Sequence, residues 1–286
     1  MKRIKVLCFI LIALLVLSGC QSNQETSNKE DYHRIISLIP SNTEILYELG
    51  LGERIVGVST VDDYPKDVKN KQKFDAFNLD NEALMKAKPD LILAHESNKA
   101  SQEKVLKKLR EAGVKVVYVK DAHSIKEMYK SFKQIGQVTG KENEANKLVQ
   151  RVQNEIEVVV EDVPKKQQGK KVFMEISSQP DIYTSGSDTF YDDMLREIKA
   201  KNVFHDQKGW IKTDKESIVK RNPDVMIDTS GQTEEAYQSL NEARDGFHDI
   251  QAVKDKHIHA IDANKISRPG PRIAKGLDEL ADKVYD

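Results

Sequence analysis

The chain has 286 residues, 38% of them hydrophobic and 32% charged, with 45 basic side chains set against 46 acidic ones. That length accommodates one large core or two of ordinary size. The cancelling charge leaves no broad basic face, which sets aside binding along a nucleic acid backbone.

In chain order, the first segment reads as an export signal. Lys2, Arg3 and Lys5 precede the apolar run Val6 to Leu17, which at 12 residues falls short of the roughly 20 that span a bilayer. The run ends in "LSGC" at Cys20, an arrangement that resembles the lipobox of bacterial lipoproteins. The resemblance implies a signal peptide of residues 1–19, cleavage before Cys20 and a lipid on that cysteine; a cleaved secretory signal that contains a Cys by chance is the alternative. Cleavage would leave 42 basic against 46 acidic residues, and Cys8 would depart with the signal, so no disulfide is expected. Residues 20–32, with "QSNQETSNKED" and no large apolar side chain, read as a lipidated Cys and flexible tether.

Order is expected from residue 33. Arg34 to Ile39 reads as a buried strand stopped by Pro40, and Ser41 with Glu44 has the spacing of a capping box for a short helix that Gly50 closes. "RIVGVS", "DLILA" and "VKVVYV" read as strands, with helices at "DNEALMKA", Gln102 to Ala112 and Ser124 to Gly136 between and after them. Such alternation predicts a mainly parallel sheet covered on both faces. Residues 141–163 carry the longest helical pattern, with Leu148, Val149, Val152, Ile156 and Val159 on one face. The pattern then restarts over residues 164–286: strand "VFMEI", a turn at "SSQPD", a helix from Thr189 to Ile198, strand "DVMID", a helix near Glu234 to Ala243, strand "HIHAI", and a final loop and helix. The fold expected is α/β, with two similarly built lobes (33–140 and 164–286) that the long helix is placed to bridge.

Two stretches repeat. "NEALMKAKPDLIL" at 81–93 and "KESIVKRNPDVMI" at 215–227 align with a Glu at the second place, a Lys at the sixth and Pro-Asp at the ninth and tenth. Asp80 and Asp214 are expected N-caps, with Leu84, Met85, Ile218 and Val219 facing the cores. Glu82 and Glu216 then lie in the first turns. There each complements the helix dipole, or the two together form a pair of exposed carboxylates that meets basic residues of a partner.

The stretches "RIISLIPSNTEILYELGLGERIVGVSTVDDYP", "KPDLILA", "YTSG", "GWIKTDKESIVKRNPDVMI" and "PGPRIAKGLDELA" resemble the substrate-binding proteins of ABC importers for cobalamin and ferric siderophores, closest to the cobalamin-binding branch. The similarity covers about residues 33–284. It implies that the long helix joins the two lobes, that a ligand cleft lies between them, and that a monomeric receptor captures a small metal chelate there and works with an ABC permease and its ATPase. It also implies that Glu82 and Glu216 dock onto permease arginines. Cobalamin or a related corrinoid is the ligand implied, with a ferric siderophore or haem as the alternative. The matching cleft positions are Phe77, His95, Tyr183, Trp210, Lys265 and Arg268. Cobalamin binders line the cleft with several Trp; this chain has one, and His95 and Lys265 make the site more polar and cationic, leaving room for an anionic ferric chelate. Arg272 opens the last helix and is expected to be structural.

Neither a phosphate-binding glycine loop, nor "GxSxG", nor "HExxH" is present, so no catalytic residues are expected, and neither a cofactor nor a protein metal site. His257 and His259 in "HIH" share a strand face but read as polar alternation. The rival class is a lipid-anchored enzyme or adhesin on the same fold. Anchoring outside the cell membrane is expected, on a Gram-positive surface in preference to a Gram-negative periplasm.

Overall fold

The computed structural model describes residues 31–164 and 168–285; Cys20, the signal segment and most of the tether lie outside the described residues. The N-terminal lobe runs β1 (Ile35–Ser37), α1 (Pro40–Glu48), β2 (Ile55–Ser59), β3 (Gln72–Phe74), α2 (Asn81–Lys86), β4 (Leu91–His95), α3 (Lys99–Glu111), β5 (Lys115–Val119) and α4 (Ile125–Val138). Its strands lie in the order β3-β2-β1-β4-β5, every pair parallel. α5 (Glu142–Asp162) follows, 21 residues or about 32 Å long at 1.5 Å per residue.

The C-terminal lobe runs β6 (Lys171–Ser177), β7 (Ile182–Ser185), α6 (Phe190–Glu197), β8 (Lys201–Asn202), β9 (Trp210–Thr213), α7 (Lys215–Arg221), β10 (Val225–Asp228), α8 (Glu234–Glu242), α9 (Gln251–Lys254), β11 (Ile258–Ala260), α10 (Ala263–Ile266) and α11 (Ile273–Tyr285). Its sheet, ordered β11-β10-β6-β7-β9, is parallel on one side and antiparallel on the other, where β7 runs against both β6 and β9. The antiparallel half has a local cause: only Ser178 to Asp181 separate β6 from β7, too few residues for a parallel crossover.

The central strands of each sheet are buried on both faces and alternate between two cores. Ile35 and Leu91 face a cluster that also contains Met174 and Ile227 of the other lobe, whereas Ile36 and Ile92 face a separate outer cluster with Leu84 and Leu106. In the C-terminal lobe Phe173 and Met226 face their own outer cluster with Ile218 and Tyr237. The shared cluster runs through Val149, Val152 and Ile156 of α5 and Leu277 and Leu280 of α11. One apolar core therefore spans both lobes, so moving them apart would expose apolar area at about 25 cal/mol per Å².

The repeated stretches form the same device twice. Asp80 accepts from the backbone N–H of Glu82 and Ala83, and Asp214 from that of Ser217. Leu84 and Ile218 are fully buried, while Met85, expected to face the core, is 41% exposed. It lies about 100° round the helix from Leu84, and so short a helix covers its lobe along one side only. Val219 packs half-buried on the outer cluster. Each helix is followed by a residue of positive φ directly before the proline, Lys88 at 49° and Asn222 at 45°.

The Asp of each Pro-Asp then ties the element to the first strand of its lobe. Asp90 accepts the backbone N–H of His33 at 2.7 Å and Arg34 at 3.0 Å, and Asp224 that of Lys171 at 2.8 Å. The basic side chain at that strand's head reaches back to the helix end: Arg34 donates to the carbonyls of Ala87 and Lys88, and Lys171 to those of Arg221 and Asn222. Carbonyls left open at a helix C-terminus are satisfied by these cations, which also suit the negative end of its dipole.

The capping box expected at α1 does not form. Ile39 is the N-cap residue, Pro40 occupies N1 and no side chain caps the helix. Proline's fixed φ and missing N–H suit the first helical position, so the helix starts before Ser41. Glu44 instead accepts two hydrogen bonds from Arg272, at 2.9 and 2.6 Å.

Candidate functional site

A cavity of about 430 Å³ opens between the lobes. Its N-terminal wall is built at the carboxyl ends of parallel strands: Ile39 to Ser41 after β1, Val61 after β2, His95 and Ser97 at the end of β4, and Asp121 to His123 after β5. Ligand sites of parallel α/β sheets fall at these strand ends. Phe190 and Tyr191 at the start of α6, Trp210 at the start of β9, and Asn264 and Ser267 to Pro269 beyond β11 complete the lining.

His95, Trp210 and Arg268, named from the sequence, come together here. Trp210 is 58% exposed and stands edge-to-face against the buried ring of Tyr191, centroids 5.8 Å apart. Arg268 is fixed across the two lobes. Its guanidinium donates to Asp63 and to the Val61 carbonyl on one side and to Asn264 Oδ1, at 2.7 Å, on the other. Arg272, beside it, is held by Glu44 and lies 4.1 Å from the Tyr64 ring, contacts that raise its pKa and give it the structural role expected.

The other three named positions do not line the cavity. Phe77 is exposed in the loop between β3 and α2, and Tyr183 is exposed on β7. Lys265 was expected to face an anionic ligand; its ammonium instead lies 3.0 Å from Glu279 of α11. It sits in α10, a helical turn packed against α11, so its nearest anion belongs to the protein.

His95 has the most organised surroundings. Nδ1 lies 2.7 Å from Ser97 Oγ and 2.7 Å from an Asp121 carboxylate oxygen. Burial lowers the imidazole pKa below its ordinary value near 6.5, opposed by the charges of Asp121 and Glu96. A ring in that state is neutral at pH 7.

A second, more polar cavity of about 620 Å³ adjoins the first and shares His123 with it. Both lobes meet at its wall: His123 Nδ1 is 3.1 Å from the Asp188 carbonyl, and Asp193 of α6 accepts the backbone N–H of Ile125 at 2.8 Å. A side chain of one lobe thereby caps the helix of the other.

Sequence reasoning missed Asp121, His123, Ser41 and Tyr191 as lining residues. For the first two a signal existed, because they directly follow the strand "VKVVYV" and strand ends are where such sites form. His257 and His259 belong to no group of three or more His, Cys, Asp or Glu among the described residues, and His259 Nδ1 lies 3.4 Å from Glu234. Glu82 and Glu216 are exposed and neither carboxylate enters an ion pair among the described residues.

Comparison with known proteins adds relatives to this geometry. A family model described as periplasmic binding protein matches residues 35–265. The chain is 39% identical to YvrC of Bacillus subtilis, an uncharacterized ABC transporter substrate-binding lipoprotein, over 99% of this chain and 98% of that one. It is 26% identical to the vitamin B12-binding protein of Yersinia pestis, covering 88% of this chain and 86% of that protein. Among solved structures, a possible iron-binding, periplasmic solute-binding protein from Staphylococcus epidermidis is 58% identical with a TM-score of 0.85, covering 90% of this chain and all of that one. The vitamin B12-binding protein of Vibrio cholerae, 22% identical with a TM-score of 0.71 over 88% of this chain and 98% of that one, shares the fold.

Proposed function

This chain belongs to the periplasmic binding protein family, and from that premise we propose that it is a lipid-anchored receptor, held outside the membrane through Cys20, that carries a metal chelate in its interlobe cavity to an ABC permease. Its role as an ABC transporter substrate-binding protein, with no catalysis, follows from the family and from full-length similarity to YvrC. The observation that carries the ligand reading is a cavity walled by both lobes, with apolar rings and fixed polar groups converging on one space.

Within the metal chelates, the lining favours a compact iron chelate, a ferric siderophore or haem, over cobalamin. It presents one Trp beside His95, Asp121, His123 and Arg268, and the Staphylococcus epidermidis relative is named for iron. Cobalamin is the second reading, supported by the Yersinia relative.

Thermal unfolding of the purified mature lipoprotein with cyanocobalamin, haem and a panel of ferric siderophores tests this. A true ligand at a hundredfold excess over Kd stabilises by about 2.7 kcal/mol. Stabilisation by cyanocobalamin alone would reverse the order of the two readings, and stabilisation by none would remove the cavity from consideration as a chelate site.

Delivery rests on Glu82 and Glu216. Two exposed carboxylates in equivalent first turns suit paired arginines on the permease, where exposed charges set register and encounter rate. Glu82→Ala combined with Glu216→Ala is expected to leave ligand binding intact and to abolish uptake. Unchanged uptake would reduce both residues to helix-start anions.

A further inference from the structure

The two copies of the repeated element carry the same carboxylate but not the same neighbours. Three residues after Glu82, a spacing that makes helix side chains neighbours, stands Met85, 41% exposed. Three residues before the N-cap Asp80, in the loop that leads into α2, stands Phe77, 74% exposed. Their counterparts in the other copy are Val219, three residues after Glu216, and Ile211, three before Asp214. Both of these are half-buried and packed on the outer cluster of the C-terminal lobe, with Val219 close to Gly246. The N-terminal lobe therefore leaves in water two apolar side chains whose equivalents the C-terminal lobe covers.

Phe77 is held in that position. Its backbone N–H and that of Asn78 donate to Asp75 Oδ1, at 2.9 and 3.3 Å, and close the turn. Ala76 on one side is buried, its carbonyl accepting from Nε2 of buried Gln102 at 2.5 Å, and Leu79 on the other packs on the outer cluster. A partner that covers the ring meets a backbone already ordered, so the ordering cost of binding is small. Single apolar side chains on a surface are ordinary. Here two of them flank one exposed carboxylate, in one lobe and not in the other. Aromatic rings and Met are enriched at interfaces, where a few such anchors carry most of the binding energy while charges set register.

We propose that Phe77 and Met85 form an apolar anchor for the permease contact, present on the N-terminal lobe alone. The proposal rests on docking through Glu82 and Glu216. The partner that fits is a permease surface on which an arginine is bordered by an apolar pocket where it receives the N-terminal lobe. Two equivalent carboxylates do not tell one lobe from the other; the anchor does. A second copy of this chain fits the patch less well, because a symmetric contact through it would bring Glu82 towards its own equivalent, like charge against like.

The test measures association and dissociation of the mature lipoprotein with its cognate permease–ATPase complex in lipid nanodiscs. Wild type is compared with Phe77→Ser plus Met85→Ser, Phe77→Leu plus Met85→Leu, and Glu82→Ala plus Glu216→Ala. The Ser pair is expected to bind about 10-fold or more weakly, mainly through faster dissociation, and the Leu pair to stay near wild type. Urea unfolding should show the Ser pair folded at the binding temperature, with the thermal shifts given by cyanocobalamin, ferric haem and ferrioxamine B equal to those of wild type. Wild-type affinity in the Ser pair with loss in the Glu pair would overturn the anchor and leave the carboxylate contact standing. Wild-type affinity in both pairs would overturn both readings. Loss of a chelate's thermal shift in the Ser pair would move Phe77 to the chelate, and self-association of wild type that the Ser pair abolishes would give the patch to a second copy; either result overturns the anchor.

Discussion

Arg34 and Asp90 tie α2 to the first strand of the N-terminal lobe just as Lys171 and Asp224 tie α7 to the first strand of the C-terminal lobe, but the two ties differ in number. Asp90 accepts two backbone N–H groups and Asp224 one. The C-terminal lobe also holds a buried network: Glu175 and Arg244, both buried, with Tyr237 donating to Glu175 at 2.8 Å and Arg244 to Asn241 at 2.7 Å. The repeated element is thus a scaffold unit, a helix clipped at both ends onto a strand. What it presents to solvent, Glu82 or Glu216, takes no part in these hydrogen bonds, which other residues make.

Equivalence of the two copies can be broken most severely at their buried anchors. Leu84→Ala and Ile218→Ala each should cost about 2–5 kcal/mol, read from urea unfolding, since both side chains are fully buried in outer clusters. A large cost in one lobe only would mean that the copies are not mechanically equivalent. Asp90→Ala should cost more than Asp224→Ala, with about 1.5–3 kcal/mol for each charged hydrogen bond as the upper scale, reduced by solvent because both sites are partly exposed.

A smaller difference is expected from pH. Burial holds His95 in one lobe and His259 in the other below their ordinary value near 6.5, against the opposing charges of Asp121 and Glu234. The unfolded chain takes up these protons first as the pH falls. The stability they contribute while neutral is complete above about pH 6.5 and is lost as the pH drops through the folded-state values. Chemical unfolding between pH 7.5 and pH 5 (about the range where unperturbed histidines titrate) should show the decline, and His95→Gln should remove its own share of the slope. The smallest effect on stability belongs to Glu82→Ala and Glu216→Ala, about 0.3–1 kcal/mol each from the helix dipole, although their double variant is the one expected to stop uptake. A larger loss of stability would show that these carboxylates belong to the clip.

Much of the fold was legible in the sequence. Caps at Asp80 and Asp214, the helices that begin at Ser124 and Thr189, and the apolar face of α5 act over a few residues, so spacing alone revealed them. The antiparallel half of the second sheet was implicit in the short "SSQPD" turn, but strand direction is decided by pairing and does not show in periodicity.

The site was legible only in part. His95, Trp210 and Arg268 reached the cavity, whereas Lys265 met Glu279 first and Phe77 and Tyr183 face solvent. Position in a motif says where a residue lies along the chain; which way its side chain turns depends on neighbours contributed from elsewhere. Local order and the repeat of capped helix, Pro-Asp and strand were determined by the sequence itself, because caps, turns and hydrophobic period act within one element. The single core through both lobes, the place of His95 Nδ1 between Ser97 and Asp121, and the clamp from Arg268 to Asp63, 205 residues apart, were decided by tertiary structure, because burial and charge at those atoms come from segments that meet only when the chain is folded.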